Sequence, residues 1–247
     1  KSDIIALDED DAFAVLTRRL VEEYLPLRSG FVNRPGYTDR PGFVLVEGKP
    51  NLPVSDGRHL TTIIVLYAIV EALVLPFDIK GRSARMQDLQ FMRPNVEELD
   101  RMYKLNVDYW ESLAETFPSY RELFASDPAD EVAAHYRKEG HLLFRPIAQR
   151  AFAQASRVLM DRGHSVQSAV KTLSQIPLRL DENPWLGTLW EPGTERVKNS
   201  LGVPFIEAIM LYMVGERPRE KYRRDGALLD RYRKLVNDPG AALPDRV

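Results

Sequence analysis

The amino-acid sequence predicts a mainly α-helical, irregular multi-helix domain with a long Pro/Gly-rich loop and very little strand. Apolar side chains recur every three or four residues along most of the chain, which is the period of an amphipathic helix. Only residues 43–46 form a short run typical of a strand. Residues 63–75 are apolar except for Glu71, but a membrane span needs roughly 20 such residues. This stretch therefore predicts a buried helix, and we expect no membrane partner.

The N-terminal part begins with a predicted helix over residues 8–25. Acidic residues at 8–11 lie where the positive end of the helix dipole favours negative charge. Apolar side chains follow at helical spacing from Phe13 to Tyr24, and Pro26 ends the helix. The chain opens on lysine rather than methionine, so we expect residues 1–25 to follow a segment that is missing here.

Residues 26–57 are predicted to be a Pro/Gly-rich loop, because five prolines and five glycines exclude a long helix. Its glycines would let backbone amides approach phosphate groups, which makes the loop a secondary candidate for phosphate binding. An ordinary surface loop is the alternative that we favour. The cations in and beside this loop are Arg28, Arg34, Arg40, Lys49 and Arg58.

Residues 58–215 are predicted to form a helical core domain. Its first helix covers residues 58–75, with Ser55 or Asp56 as the cap, and is apolar nearly all round. Residues 95–98 form a capping-box pattern at the start of a long amphipathic helix. Further helices along the chain are predicted to begin at Pro146 and to cover residues 166–173, 205–214 and 228–236.

The composition excludes several classes of functional site. The 247 residues include no cysteine, which excludes disulfides, thiolate catalysis and cysteine-based metal sites. The four histidines show no i, i+4 pair, and the acidic run at 8–11 lacks the Gly and the terminal Glu of a calcium loop. No Gly-rich phosphate-loop motif is present. We therefore predict no metal, no cofactor and no catalytic residue in this segment of a cytoplasmic protein.

Positive charge is concentrated in a charged C-terminal tail, residues 216–247. The whole chain has a net charge of −2, whereas the tail has nine basic residues against six acidic ones. Lys and Arg neutralise phosphates, and bases can stack on aromatic rings such as Tyr222 and Tyr232. The tail is therefore the best candidate DNA-binding surface, and a solvated helical tail with intrahelical ion pairs is the alternative. The candidate residues are Arg217, Arg219, Lys221, Arg223, Arg224, Arg231, Arg233 and Lys234.

Arg145 is a further DNA-binding candidate outside the tail. It precedes Pro146 and would place a cation at the N-terminal end of a helix, against the helix dipole unless an acid or a phosphate meets it. Trp185 and Trp190 flank a Gly-containing turn. We interpret both tryptophans as core or interface anchors rather than as base-stacking platforms.

Six stretches of the chain together carry a family resemblance. They are LDEDDAFAVLTR (7–18), HLTTIIVLYAIVEAL (59–73), YWESLAETFP (109–118), GHLLFRPIAQRAFAQA (140–155), NPWLGTLWEPG (183–193) and LYMVG (211–215). In this order they resemble the C-terminal region of the DGQHR-domain family, whose DndB branch belongs to DNA sulfur modification (phosphorothioation).

The resemblance implies a DNA-binding regulator in a bacterial DNA-modification or phage-defence system. DNA, other proteins of such a complex and a second copy of the chain are then the expected partners. The resemblance also implies a ParB-like domain upstream of residue 1, which would hold the family's Asp-Gly-Gln-His-Arg signature. Residues 56–59 lack its Gln and its final Arg, so we do not assign them that role. Alternatives are a nucleotide hydrolase or nuclease component with its active groups upstream, and a helical protein-interaction scaffold.

Overall fold

A computed structural model describes residues 5, 8–28, 42–46, 49, 51–53, 55–77, 79–191, 193–194, 196–198, 201–224 and 226–247. Within these residues the chain is mainly α-helical, as predicted, with two short two-stranded sheets. The helices are α1 (Ala12–Glu23), α2 (Ile63–Val74), α3 (Arg82–Phe91), α4 (Val96–Thr116), α5 (Pro118–Ala125), α6 (Val132–Lys138), α7 (Pro146–Asp161), α8 (Val166–Leu173), α9 (Val203–Met213), α10 (Glu220–Arg223) and α11 (Ala227–Val236). The strands are β1 (Val44–Leu45), β2 (Thr61–Thr62), β3 (Trp190–Glu191) and β4 (Arg196–Val197).

The first helix and the first strand lie within the ranges that the sequence predicts, but the helix begins four residues later than residue 8, and the acidic residues 8–10 precede it. Helix α1 begins after Asp11, whose side chain accepts the Ala14 N–H at 3.0 Å, and it ends before Pro26. Strand β1 lies inside the predicted strand and pairs in parallel with β2, with Val44 opposite Thr61. The two strands bring the end of the Pro/Gly-rich loop against the start of α2.

The start of α2 differs from its prediction over residues 58–75. The helix begins several residues later, because the residues before it extend to pair with β1. Neither Ser55 nor Asp56 is its cap. Thr62 takes that position, with its hydroxyl oxygen accepting the Val65 N–H at 3.3 Å.

Three shorter helices, α3, α5 and α6, lie where the sequence analysis predicts none. Between them, Asn95 caps α4 as predicted, since its side chain accepts the Glu98 N–H at 2.9 Å. The Glu98 carboxylate pairs with Arg85 of α3 instead of closing the capping box. The predicted cap is therefore confirmed, and its acidic partner joins two helices.

Helices α2, α7 and α9 form the centre of the fold. Helix α2 packs against α1, α4 and α7, and α7 also packs against α8 and α9. Both α2 and α9 are buried on nearly all sides, as predicted, and Glu207 is the only charged residue of α9. Burial of apolar area stabilises a fold by about 25 cal/mol per Å². The buried helices therefore contribute much of the stability of the core on which the later segments pack.

Residues 216–247 pack on this core. Leu228 and Tyr232 of α11 belong to the main hydrophobic cluster, and the Val247 N–H donates to the Met213 carbonyl at 2.9 Å. The prediction that Tyr232 offers a face for base stacking is wrong, because its ring is only 5% exposed.

No helix in the described parts of the chain is long and apolar enough to cross a membrane. Three cations of the Pro/Gly-rich loop region, Arg28, Lys49 and Arg58, are exposed. Arg34 and Arg40 lie outside the described residues.

Candidate anion-binding site

A cleft of about 530 Å³ lies between the end of α2, the start of α3, helix α9 and residues 219–223. Among the described residues its lining contains four cations, two aromatic rings and one carboxylate, and we call it the basic cleft. These residues are Arg82, Arg219, Lys221, Arg223, Phe77, Tyr222 and Glu207. The cleft therefore has an excess of positive charge.

Phe77 follows α2, and helix α7 fixes its position. The Phe77 N–H donates to Asp161 Oδ2 at 2.8 Å. Arg157 holds the same carboxylate, with Nε donating to Asp161 Oδ1 at 2.8 Å, and it also donates to the Leu73 carbonyl at 3.0 Å. This buried ion pair ties α7 to the last turn of α2 and holds the ring at the cleft.

Arg219 is held in one orientation beside that ring. Its guanidinium carbon lies 3.8 Å from the Phe77 ring centroid. Nε donates to Glu207 Oε1 at 2.6 Å, while Nη2 bonds to Glu207 Oε2 and, at 3.1 Å, to Gln154 Oε1. Glu207 is 1% exposed, and this burial raises the pKa of its carboxyl in spite of the neighbouring guanidinium. Within the described residues Nη1 of Arg219 has no hydrogen-bond partner, so it can bind a ligand.

Arg82 contacts the same ring from the start of α3. The chain enters this helix through Gly81, whose φ of 73° lies in the left-handed region that favours glycine. The Arg82 guanidinium carbon is 4.9 Å from the Phe77 centroid, and no carboxylate of the described chain lies within ion-pair distance of it. Burial lowers the pKa of Arg82, the Glu71 and Asp161 carboxylates oppose this shift, and the positive charge of Arg219 adds to it. Two guanidinium groups thus contact one ring, and an anion that contacts both would reduce their repulsion.

A second hollow of about 440 Å³ shares Arg223 with the basic cleft. Arg162 in its lining is occupied, since Nη1 donates to Glu216 at 2.6 Å and Nη2 to the Arg217 carbonyl at 2.6 Å. The side chains of Arg217 and Arg223 are exposed. The two hollows therefore form one basic surface that continues across Arg223.

The structure brings part of the predicted DNA-binding set to this surface. The members that line it are Arg217, Arg219, Lys221 and Arg223. Arg224 follows them and is exposed, whereas Arg231, Arg233 and Lys234 lie on α11 and line neither hollow. Arg233 has a structural contact there, because its Nε donates to the Ala241 carbonyl at 2.8 Å.

Arg145 lies apart from the cleft. It precedes α7 by one residue, and Gln154, which contacts Arg219, lies about 14 Å further along the helix axis. The Arg145 guanidinium donates to the Arg137 carbonyl at 2.8 Å, near the C-terminal end of α6, and lies 5.5 Å from the Trp190 ring. The negative end of the α6 dipole stabilises this cation and offsets the unfavourable position of Arg145 at the positive end of α7. Trp185 is buried, as an anchor residue should be.

Residues 56–59 form a compact turn at the C-terminal end of the Pro/Gly-rich loop. Asp56 Oδ1 accepts the His59 N–H at 2.8 Å, and Oδ2 lies 2.7 Å from His59 Nδ1. Arg137 bonds to the backbone carbonyls of both residues. Burial opposes ionisation of Asp56, but the hydrogen bonds from His59 outweigh it and lower the pKa of Asp56.

A serine and a histidine meet at Ser119 and His141, but their hydrogen bonds do not fit a nucleophile–base pair. His141 Nδ1 accepts the Leu143 N–H at 3.2 Å, so the ring proton is on Nε2, which lies 3.1 Å from Ser119 Oγ. Burial lowers the pKa of His141 to about 4, so the ring is neutral. His141 thus donates to the serine and cannot take its proton.

Among the described residues, no group of three or more His, Asp or Glu side chains could hold a metal ion. Three comparisons with known proteins, against family models, curated proteins and solved structures, find no match to the chain. Sequence reasoning misses Phe77, Arg82 and Glu207 as parts of a site. Only Glu207 gives a signal, as the one charge in an apolar helix.

Proposed function

We propose that this chain binds nucleic acid, with DNA as the expected partner, through phosphate contacts on the basic cleft and the adjoining hollow. The observation that carries the proposal is the convergence of four cations from two distant segments on one cleft, to which the described side chains contribute one carboxylate. That carboxylate, Glu207, is already bound to Arg219. Arg82, Lys221 and Arg223 therefore remain for a polyanion.

The contacts predict a weakly sequence-selective mode of binding. Guanidinium and ammonium groups on phosphates fix the position of a strand and carry no sequence information. A strand that follows the surface would cross from the cleft to the second hollow at Arg223, which lines both. The proposed role is therefore binding without catalysis, and the hydrogen bonds of Ser119 and His141 favour no hydrolytic alternative.

The resemblance to the DGQHR-domain family supports a more specific proposal. According to this more specific proposal, the chain is the helical C-terminal region of a DNA-binding regulator in a bacterial DNA-modification or phage-defence complex. An upstream ParB-like domain and partner proteins would then supply sequence choice or catalysis. The cleft geometry favours the DNA contact in this proposal.

The test is a salt titration of DNA binding by fluorescence anisotropy with a short labelled duplex. The cleft variant is Lys221→Glu with Arg223→Glu, and the control is Lys138→Glu with Lys171→Glu, which makes the same charge change at exposed positions outside the cleft. Each phosphate contact contributes about −0.9 to the slope of log affinity against log salt, so the cleft variant should flatten this slope by about two. The control should keep the wild-type slope.

Two results would overturn the proposal. One is a wild-type protein that does not bind DNA at low salt. The other is a cleft variant whose affinity and slope equal those of the control, because the contact would then come from general charge and not from the cleft.

A further inference from the structure

The basic cleft is a recess, and its cations lie at two depths. Lys221 and Arg223 are exposed at the surface, whereas Arg82 and Arg219 are half-buried against Phe77. A phosphate within a strand is flanked by sugars on both sides, so it reaches the exposed cations more easily than the recessed ones. A phosphate at the end of a strand can enter the recess alone.

We propose that the recessed pair Arg82 and Arg219 binds a phosphate monoester, the terminal phosphate of a nucleic-acid strand, in preference to an internal phosphodiester. This inference rests on the proposed function, since it assigns a ligand group to the same cleft. The cavity of about 530 Å³ is also within the usual range of about 300 to 1,000 Å³ for small-molecule sites, so the terminal nucleotide fits with its phosphate.

Charge favours the monoester over the diester. A monoester carries about −1.5 to −2 near neutral pH and has three terminal oxygens, whereas a diester carries a single negative charge. Arg82 has no direct ion-pair partner among the described side chains, although the more distant Glu71 and Asp161 carboxylates stabilise its charge, and it contacts the same ring as Arg219. A dianion that contacts both guanidinium groups compensates more of their positive charge than a monoanion does.

The free donors also suit such a ligand. Glu207 and Gln154 occupy Nε and Nη2 of Arg219, which fixes the plane of the guanidinium and leaves Nη1 for a ligand. Arg82 Nε is buried, so the two terminal nitrogens of its side chain are the ones that can donate into the cleft. Two guanidinium groups held in place by a ring lose little freedom on binding, which increases affinity for a group that matches them.

The experiment compares single-stranded oligonucleotides of one sequence that differ only at one end. Three strands are titrated by fluorescence anisotropy: one with a 5′-phosphate, one with a 3′-phosphate and one with two hydroxyl ends. In separate assays, a nucleoside monophosphate and its nucleoside are tested as competitors of the bound strand. We expect one phosphorylated end to bind about tenfold more tightly than the hydroxyl ends, the effect of one or two charge-assisted hydrogen bonds. The nucleoside monophosphate should compete and the nucleoside should not.

The variant Arg82→Gln should lower the affinity for the phosphate-ended strand to that for the hydroxyl-ended strand, which removes the end preference. Its circular dichroism spectrum should equal that of the wild type, which shows that the protein is folded. Arg85→Gln is the control on the same helix, because Arg85 pairs with Glu98 outside the cleft. Equal affinity for all three strands would overturn the inference and leave the proposed function standing. Competition by the nucleotide without binding of any strand would instead support the monoester site and overturn the proposed function.

Discussion

The buried ion pair between Arg157 and Asp161 should contribute much more to stability than an exposed pair of the same chemistry. Asp161 accepts three hydrogen bonds, two from Arg157 and one from the Phe77 N–H. The two charged side chains are 14% and 5% exposed. The substitution Asp161→Asn keeps the shape, but one amide oxygen must replace two carboxylate oxygens, and the amide N–H₂ then faces donors.

The expected loss follows from those contacts. Hydrogen bonds to a charged group contribute about 1.5 to 3 kcal/mol each, and removal of one partner of a buried pair costs about 3 to 5 kcal/mol. Since asparagine keeps one acceptor, we expect Asp161→Asn to lower the free energy of unfolding by about 3 kcal/mol. For a chain of this size the melting temperature should fall by roughly 6 to 12 °C.

The assay is thermal unfolding followed by tryptophan fluorescence. The matched control is Asp181→Asn, because Asp181 also accepts two hydrogen bonds from one guanidinium, at the protein surface, with Arg179 Nε bonded to Oδ1 and Nη2 to Oδ2. Solvent screens that pair, so the melting temperature of the control should equal that of the wild type. If both variants melt within about 2 °C of the wild type, burial does not set the strength of these pairs and the argument for a fixed Phe77 fails.

Two further predictions concern the core and the loop turn. Ile209→Asp puts an unpaired charge at a position that is 1% exposed, so it should lower the free energy of unfolding by more than about 4 kcal/mol and prevent stable folding. The control Val96→Asp, at a position that is 70% exposed, should stay soluble and keep a folded circular dichroism spectrum. Asp56 has a lowered pKa in the folded state, so its contribution is present above its unfolded value of 3.8 and is lost as pH falls through the folded value. The melting temperatures of wild type and Asp56→Asn should therefore converge at acid pH, and a constant difference would contradict this.

The helices that the sequence predicts are those with a continuous apolar stripe. Helices α2 and α9 meet this condition, and α4 adds an asparagine cap. Helix α3 buries only Leu89 and α6 only two alanines, so neither sequence contains an apolar stripe to detect. Helix α5 buries two apolar side chains, whereas α8, which has the same length, buries four and is predicted. The start of α2 is missed for another reason, since cap preference alone favours Asp56 over Thr62, and the pairing with β1 moves the start to Thr62.

The candidate site could also be predicted only in part from local sequence. A count of charges finds the cations of residues 216–247, but it does not separate those that line the cleft from those that do not. The structure separates Arg219 and Arg223, which line the cleft, from Arg233 on α11, which binds a backbone carbonyl. What makes the difference is a partner far away in sequence, because Phe77 joins Arg219 to Arg82 only after α7 has fixed the ring. A site that depends on such a third element has no signature in the spacing of its own residues, so the buried Glu207 is the single local feature that could have marked it.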